Sequence, residues 1–313
     1  MVRRMKDGRR MAVVLVALLL DRCLGEPPEA VHPVVWIGQT VGALAARAPR
    51  DRTARLLYGA GLVGGVCGGS ALAPRLLEGR LVGPSGLLAE GWLLKSCLSY
   101  RALERAGERV AERLEGGDLE GARKELLWLV GRDRSKLDAN EVAAAAVESL
   151  AENLSDSFAA PLLAYAAFGL PGAFFYRAAN TADAMVGYRE EPFTHTGRAA
   201  ARLDDALNLV PARLTALALV LAAGRDGARA AGDALRVALR DGRLTESPNA
   251  GWPMAAAAGA LGVRLEKRGH YRLNAEAPPP AADDLRRAGR LVRRAAAVLV
   301  ALVLLGVAAG RPR

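Results

Sequence analysis

Residues 147–176 read VESLAENLSDSFAAPLLAYAAFGLPGAFFY, and they place two glutamates, an asparagine and an aspartate directly before an uncharged run at 157–176. A run of about 20 predominantly apolar residues is long enough for a helix to cross the hydrocarbon core of a bilayer. Charged groups are costly at the edge of that core. The stretch therefore predicts a membrane helix and raises the question of what its polar residues do.

Two further uncharged runs, 56–73 and 295–310, are long enough to cross a bilayer once tilt and snorkelling arginines are allowed for. Shorter or interrupted apolar runs are open to interpretation as buried, re-entrant or half-spanning helices. They lie at 11–20, 81–94, 206–224 and 250–263.

The composition favours helices. Of the 313 residues, 51% are hydrophobic and only 5% are aromatic, and the Ala, Leu, Val and Gly that dominate suit packed helices better than a sheet. No convincing period-two pattern occurs. We predict an all-α polytopic integral membrane protein with roughly four to six membrane-embedded helices and polar helices on the cytoplasmic side.

Basic residues bracket the apolar runs. The formal charge is +10, and much of the excess of basic over acidic residues lies at 1–10, 293–294 and 311–313. Aromatic and basic residues are not interleaved in the way that stacks bases, so nucleic acid is excluded as a partner. The basic residues before Met11 predict a cytoplasmic N-terminus for a multi-pass protein of the cell inner membrane.

We predict a single membrane-embedded domain over 1–313, with a basic tail at 1–10 and a polar helical insertion at 99–153. The start has the basic head and apolar run of a signal peptide but no small-residue cleavage site, so we interpret it as an uncleaved membrane-entry segment. Within the insertion we expect a turn at 116–118 and a capping box formed by Asp138 and Glu141.

Glycines recur at four-residue intervals in the run 56–73. They are Gly61, Gly65 and Gly69, together with Gly64 and Gly68. Small residues at this spacing let helices approach closely. A nucleotide-binding loop is the competing interpretation, but no G-K-[ST] sequence follows. We therefore predict a helix-packing seam.

Three carboxylates follow one another at intervals of four. Glu148, Glu152 and Asp156 share one face if their helix continues, and like charges at that spacing repel. A divalent cation, an ammonium group or an arginine between them would make the arrangement favourable. The alternative, slightly favoured by spacing alone, is that the helix stops near Asn153 and that Ser155 or Asp156 caps the next helix.

A second polar group lies in YRAANTADAMVGYREE, residues 176–191. Asn180 and Asp183 are three apart, and Tyr188 follows. An unpaired carboxylate among Ala, Met and Val would be costly, so we expect Asp183 to have a partner. The purely structural alternative is an ion pair with Arg177.

The segment ARLDDALNLVPARLTALALV, residues 201–220, carries polar residues on or beside an apolar run. They are Arg202, Asp204, Asp205, Asn208 and Arg213. Ionisable residues in such segments are functional candidates by default. An internal pair between Arg213 and Asp204 or Asp205 is the alternative.

A fourth group, ESPNAGWP at 246–253, holds Ser247 and Asn249 before an Ala-rich run. The two residues are good helix N-caps, and a helix N-terminus also receives phosphate. His32 lies in a Pro-rich turn after an apolar segment. Because no second histidine stands at a ligand spacing, we reject a zinc site.

Six segments occur in order along most of the chain: DRCLGEPPEAVHPVVWIG, VGRDRSKLD, ESLAENLSDSFAAPLL, YRAANTADAMVGYR, ARLDDALNLVPARLTAL and SPNAGWPMAAAAGALGVRL. They resemble the adenosylcobinamide-phosphate synthase family (CbiB/CobD) of cobalamin biosynthesis. The resemblance implies a multi-pass inner-membrane enzyme. Its reaction would join the carboxylate of adenosylcobyric acid to aminopropanol or aminopropanol phosphate through an amide bond, giving adenosylcobinamide or its phosphate.

The resemblance also implies ATP and Mg²⁺ as cofactors, a corrinoid as substrate, the lipid bilayer as surroundings and other cobalamin-pathway enzymes as candidate partners. With the resemblance, Glu152, Asn153 and Asp156 are interpreted as the polar wall of a site at the membrane surface and no longer as a solvated helix end. Glu148 is a weaker candidate. The implied catalytic residues are Glu152, Asp156, Asp183, Asp204 and Asp205, of which Glu152 and Asp156 are also the candidate Mg²⁺ ligands. The implied substrate-binding residues are His32, Asn153, Asn180, Tyr188, Arg202, Asn208, Arg213, Ser247 and Asn249.

Two other functions remain open at this point. A corrinoid or cation transporter would line a continuous path with these carboxylates, whereas an enzyme would gather its polar groups at one membrane face. A membrane scaffold for a biosynthetic complex would use them as interaction surfaces.

Overall fold

The structure, a computed structural model, describes residues 2–77, 79–131, 134–188 and 190–309, and its regular structure is almost entirely α-helical. The helices are α1 (Val2–Leu24), α2 (Pro33–Ala45), α3 (Arg52–Leu77), α4 (Gly83–Ser96), α5 (Tyr100–Glu115), α6 (Leu119–Glu125), α7 (Ala139–Leu154), α8 (Ala160–Val186), α9 (Arg198–Ala223), α10 (Ala228–Asp241), α11 (Gly251–Leu261) and α12 (Ala282–Ala309). Two short strands, β1 (Leu265–Lys267) and β2 (Tyr271–Leu273), form an antiparallel hairpin. The all-α prediction is confirmed. The two strands were not predicted, because strands of three residues are too short to show a period-two pattern.

Four helical stretches of the described chain are long and apolar enough to cross a membrane: Arg52–Leu77, Ala139–Val186, Arg198–Asp226 and Ala282–Ala308. Two of them contain the runs 56–73 and 157–176 that were expected to span, and Ala282–Ala308 covers the run 295–310 as far as residue 308. The remaining stretch, Arg198–Asp226, was expected only as an interrupted run. Its charged residues break the apolar pattern, but the helix continues through them.

The opening stretch lies within one long helical segment, Ala139–Val186, which is kinked at Gly169. The α-helix α7 ends at Leu154, close to where the alternative placed its end, but no break follows, so the expected capping of a separate helix by Ser155 or Asp156 is wrong. Instead, a π-helical turn, Ser155–Ala159, joins α7 to α8 and contains Asp156. Such a turn inserts an extra residue and rotates the side chains that follow, and π-turns inside helices are frequent at functional sites. Further on, Gly169 has φ 72° and marks a kink within α8.

By contacts between Cα atoms the chain divides into two compact units. Unit 1 comprises Met1–Ser99, Ala160–Leu207 and Val303–Arg313, and unit 2 comprises Tyr100–Ala159 and Asn208–Leu302. The single domain over 1–313 and the insertion at 99–153 stay predictions.

In unit 1, α3 packs on α8, α1 packs on α4, and α2 contacts both α3 and α8. The buried face of α3 carries Leu62, Val63, Val66 and Cys67. At Gly59, α3 comes close to the backbone of Thr196: a Cβ added to Gly59 would lie 2.0 Å from the Thr196 carbonyl oxygen. Any larger residue would displace one of the two segments.

The predicted glycine seam is wrong for the packing of this chain. A Cβ built at Gly61, Gly64, Gly65, Gly68 or Gly69 would meet no heavy atom of the described residues within 4 Å, apart from those of the adjoining residues and the local helix backbone. The period-four pattern is real, but it lies on the exposed side of α3, since the buried side is the one that carries the branched residues. Spacing alone does not reveal which face of a helix meets its neighbour.

In unit 2, α11 packs on α10 and α7, and α5 packs on α7 and α6. Alanines 143–146 and 255–258 are buried, and their small side chains let the helices approach closely. The capping box predicted at Asp138 and Glu141 is confirmed. The predicted turn at 116–118 is also confirmed, with Gly117 at φ 72° and Asp118 accepting a hydrogen bond from the Gly121 N–H.

The β-hairpin is tied to α10 by a buried carboxylate. Asp241 Oδ2 accepts a hydrogen bond from the Asn274 N–H at 2.7 Å, and the Arg240 side chain donates to both carboxylate oxygens at 2.7 Å. Burial raises the pKa of Asp241, but these hydrogen bonds outweigh burial and hold the pKa below its ordinary value. The ionised carboxylate therefore orders the turn that follows β2.

Replacing Gly59 with Ala should destabilise the protein by about 1–3 kcal/mol, because the new methyl group would overlap the Thr196 carbonyl. The measurement is the midpoint of thermal unfolding in detergent. Gly61→Ala is the matched control on the same helix, and its midpoint should be unchanged or slightly higher, since Ala favours a helix over Gly. Equal losses in the two variants would contradict the packing described for α3.

Candidate functional site

The polar residues of α7 form a hydrogen-bonded ladder along the helix. The Ser149 hydroxyl donates to the Leu129 carbonyl at 2.7 Å, and the Asn153 amide donates to the Ser149 carbonyl and hydroxyl, both at 3.0 Å. The Ser157 hydroxyl then donates to Asn153 Oδ1 at 3.3 Å across the π-turn. Asn153 is thus held by its own helix, and this hydrogen bonding fixes its orientation.

The three carboxylates of this segment differ in burial. Glu148 is buried, whereas Glu152 and Asp156 are half-buried, so the latter two are the more accessible. No group of three or more His, Cys, Asp or Glu side chains is arranged to hold a metal within the ranges that the structure describes. The assignment of Glu152 and Asp156 to Mg²⁺ stays a prediction.

Arg213 on α9 is held by the 247–252 turn of unit 2. Its Nη1 donates to Asn249 Oδ1 and to the Leu209 carbonyl, and its Nη2 donates to the Pro248 carbonyl at 3.1 Å. The guanidinium also lies over the ring of Trp252, 5.0 Å from its centroid. These contacts show that Arg213 fastens this turn to α9, a role that the proposed pair with Asp204 or Asp205 did not foresee.

The predicted capping role of Ser247 and Asn249 is wrong. The N-cap of α11 is Ala250, which makes no side-chain capping bond. Instead, Thr245 Oγ1 accepts a hydrogen bond from the Gly251 N–H at 3.1 Å. The Ser247 hydroxyl accepts from the Asn249 N–H at 3.3 Å, and the Asn249 side chain binds Arg213. The turn is thus built to position the Asn249 amide.

In unit 1, Asn180 links two charged side chains. Arg177 Nη1 donates to Asn180 Oδ1 at 3.1 Å, and Asn180 Nδ2 donates to Asp204 Oδ1 at 3.2 Å. Asp204 is only 8% exposed. The structure therefore joins two segments that the sequence analysis treated separately, and Arg177 is hydrogen-bonded to Asn180.

The other candidates of this unit differ in exposure. Asp183 and Asp205 are half-buried, and Arg202 and Tyr188 are exposed. Gly187 lies so close to Asp183 that an added Cβ would be 1.9 Å from its carboxylate oxygen. The ring of Tyr188 tilts against Phe193, with their centroids 6.3 Å apart. In unit 2, Asn208 is buried.

His32 belongs to a charged cluster at the start of α2. Its Nδ1 accepts a hydrogen bond from the Val34 N–H at 3.2 Å, so Nε2 carries the proton and donates to Glu26 Oε2 at 3.2 Å. The ammonium of Lys95 lies 3.6 Å from the same oxygen. His32 thus caps the helix and orients Glu26.

Glu26 and Lys95 were not among the functional residues predicted from the sequence. Lys95 is only 1% exposed, which is rare for a lysine. A single lysine among apolar residues, in GWLLKSCL at 91–98, could have indicated a buried charge. It was overlooked because the apolar run was taken to end at residue 94, directly before the lysine. Asp21, also buried, lies close enough to act on the charge of Lys95.

Burial and charge act in opposite directions on this cluster. Burial lowers the pKa of Lys95, although Glu26 and Asp21 oppose the effect. Burial would raise the pKa of Glu26, but the hydrogen bond from His32 and the charges of Lys95 and Arg177 outweigh it and lower the pKa. Glu26 is therefore held as a carboxylate.

A protein-family model described as CobD/Cbib protein matches residues 14–299 of this chain. The chain is 44% identical over 285 residues to the cobalamin biosynthesis protein CobD of Geobacter metallireducens, covering 88% of this chain and 87% of the relative. The corresponding protein of Klebsiella pneumoniae is 39% identical over 311 residues, covering 92% and 95%. The probable cobalamin biosynthesis protein CobD of Methanothermobacter thermautotrophicus is 41% identical over 268 residues, covering 84% and 86%. No solved structure matches the chain significantly.

Replacing Asn180 with Ala should destabilise the protein by roughly 1.5–3 kcal/mol, because hydrogen bonds to two charged groups are lost. The measurement is again the midpoint of thermal unfolding in detergent. Gln39→Ala truncates an amide at an exposed position of α2 and should leave the midpoint unchanged. A midpoint for Asn180→Ala equal to that of the control would show that the bridge contributes nothing to stability.

Proposed function

Since this chain belongs to the CobD/Cbib family, we propose that it attaches aminopropanol or aminopropanol phosphate to the carboxylate of adenosylcobyric acid through an ATP-dependent amide bond. The observation that carries the proposal is the family match over nearly the whole chain, together with relatives named for cobalamin biosynthesis. A protein of this family acts in cobalamin biosynthesis. The reaction, the cofactors and the inner-membrane location with a cytoplasmic N-terminus are the finer parts of the proposal.

The residues of α7 and the π-turn fit a magnesium–nucleotide site. In such sites Mg²⁺ is held by one or two carboxylates together with phosphate oxygens. Glu152 and Asp156 supply two half-buried carboxylates about one helical turn apart, and we assign both to the ion. ATP with Mg²⁺ supplies the activation that a carboxylate needs before an amine attacks it.

The chain's own residues supply the remaining requirements. The attacking amine has to lose a proton, and Asp183, Asp204 and Asp205 are the candidate bases. The Asn180 amide already orients the Asp204 carboxylate. We therefore favour Asp204 as the base, because a fixed carboxylate accepts the proton at a defined position. Arg202 is exposed and is suited to bind a phosphate or propionate group in a bidentate manner.

The proposal is tested by incubating the purified protein with adenosylcobyric acid and each amine, with and without ATP, and identifying the product by mass spectrometry. A product whose mass corresponds to the amide, formed only with ATP, supports the proposal and shows which amine is used. Corrinoid movement across vesicles without a new product would favour the transporter alternative. Absence of both would favour a scaffold.

Replacing Asp156 or Asp205 with Ala should abolish amide formation in membranes where the variant accumulates to the normal level. Glu112→Ala removes an exposed acid of α5 and should retain the activity. Full activity of Asp156→Ala or Asp205→Ala would remove that residue from the mechanism.

A further inference from the structure

A fully buried ammonium group lies at the end of α4. Lys95 is 1% exposed, and its Nζ has no hydrogen-bond partner in the described part of the chain. The carboxylate of Glu26 lies at 3.6 Å, which is an ion-pair distance but too long for a hydrogen bond. Because an ammonium group carries three N–H donors, Lys95 has capacity for a further acceptor.

A second cation acts on the same carboxylate. The guanidinium of Arg177 contributes to the lowered pKa of Glu26. Its Nη1 donates to Asn180, whereas its Nε is buried and has no hydrogen-bond partner among the described residues. Two cationic side chains in this part of unit 1 therefore keep a buried donor unused.

Two donor groups converge on one oxygen of the Glu26 carboxylate. Glu26 Oε2 is shared by the His32 ring at 3.2 Å and the Lys95 ammonium at 3.6 Å. Asp21 also acts on Lys95, yet the Lys95 ammonium keeps its donors unused. A further anion would satisfy these donors and favour the charged form of the buried lysine.

We propose that Lys95 and Arg177 form an anion-binding site for a carboxylate or phosphate group of the substrate, with Glu26 as the resident anion that competes for it. For the identity of that substrate the inference rests on the proposed function. The acid component carries a carboxylate, and the esterified amine carries a phosphate. Both groups are anions that accept charge-assisted hydrogen bonds from lysine and arginine.

The first test measures thermal unfolding of the full-length protein in detergent during titration with inorganic phosphate and, separately, with acetate. Chloride at the same ionic strength is the reference. An anion that binds the folded state raises the unfolding midpoint. Lys95→Met should weaken the apparent affinity roughly tenfold or more, whereas Lys124→Met, at an exposed position of α6, should not change it.

Glu26→Gln makes the test specific. Because it removes the competing carboxylate, it should tighten anion binding, in the direction opposite to Lys95→Met. If Lys95→Met does not accumulate, Lys95→Arg should still bind the anion, and Glu26→Gln still provides the opposite sign. A Glu26→Gln variant that binds more weakly than the wild type, or a midpoint that neither phosphate nor acetate changes, would overturn the anion site.

A second titration, with adenosylcobyric acid and with aminopropanol phosphate, separates the two sources of the anion. The compound whose affinity falls in Lys95→Met supplies the group bound there. If neither compound binds the wild-type protein while inorganic phosphate or acetate still does, the proposed function fails and the anion site stands.

Discussion

Charges that enter an apolar helical protein have to be compensated by other protein groups, since the unpaired charged form is strongly disfavoured away from water. This constraint explains much of the side-chain geometry of the chain. In unit 1, Glu26 is placed between His32 and Lys95, and Asn180 joins Arg177 to Asp204. In each of these two groups, a charged side chain has a neighbouring protein group as its partner.

Unit 2 meets the same constraint with amides and backbone carbonyls. Arg213 is held by Asn249 and Pro248 and lies over Trp252. Asp241 is held by Arg240 and by the Asn274 N–H. In both cases a buried or half-buried charge fixes a short irregular segment against a helix. The polar groups of these irregular segments are thereby held in defined positions.

Small residues make this arrangement possible. Gly59 permits the close approach of α3 to the segment at Thr196, and Gly187 leaves room for the Asp183 carboxylate. The buried alanines of α7 and α11 have the same effect in unit 2. Because the helices approach closely, there is little apolar volume between them, and polar groups can interact across short distances.

The sequence by itself determined the helical class, the principal apolar helices, the capping box and the family, because these depend on composition, local periodicity and ordered motifs. It also identified most of the polar segments. Only the tertiary structure decided which residues within them meet: Asn180 with Asp204, Arg213 with Asn249, and Lys95 with Glu26. It also placed the packing of α3 at Gly59 and left the period-four glycines exposed. Spacing along one helix specifies which residues share a face, but the residues that pack against that face are distant in sequence. The role of a single lysine in an apolar run is therefore revealed only when the fold brings a carboxylate beside it.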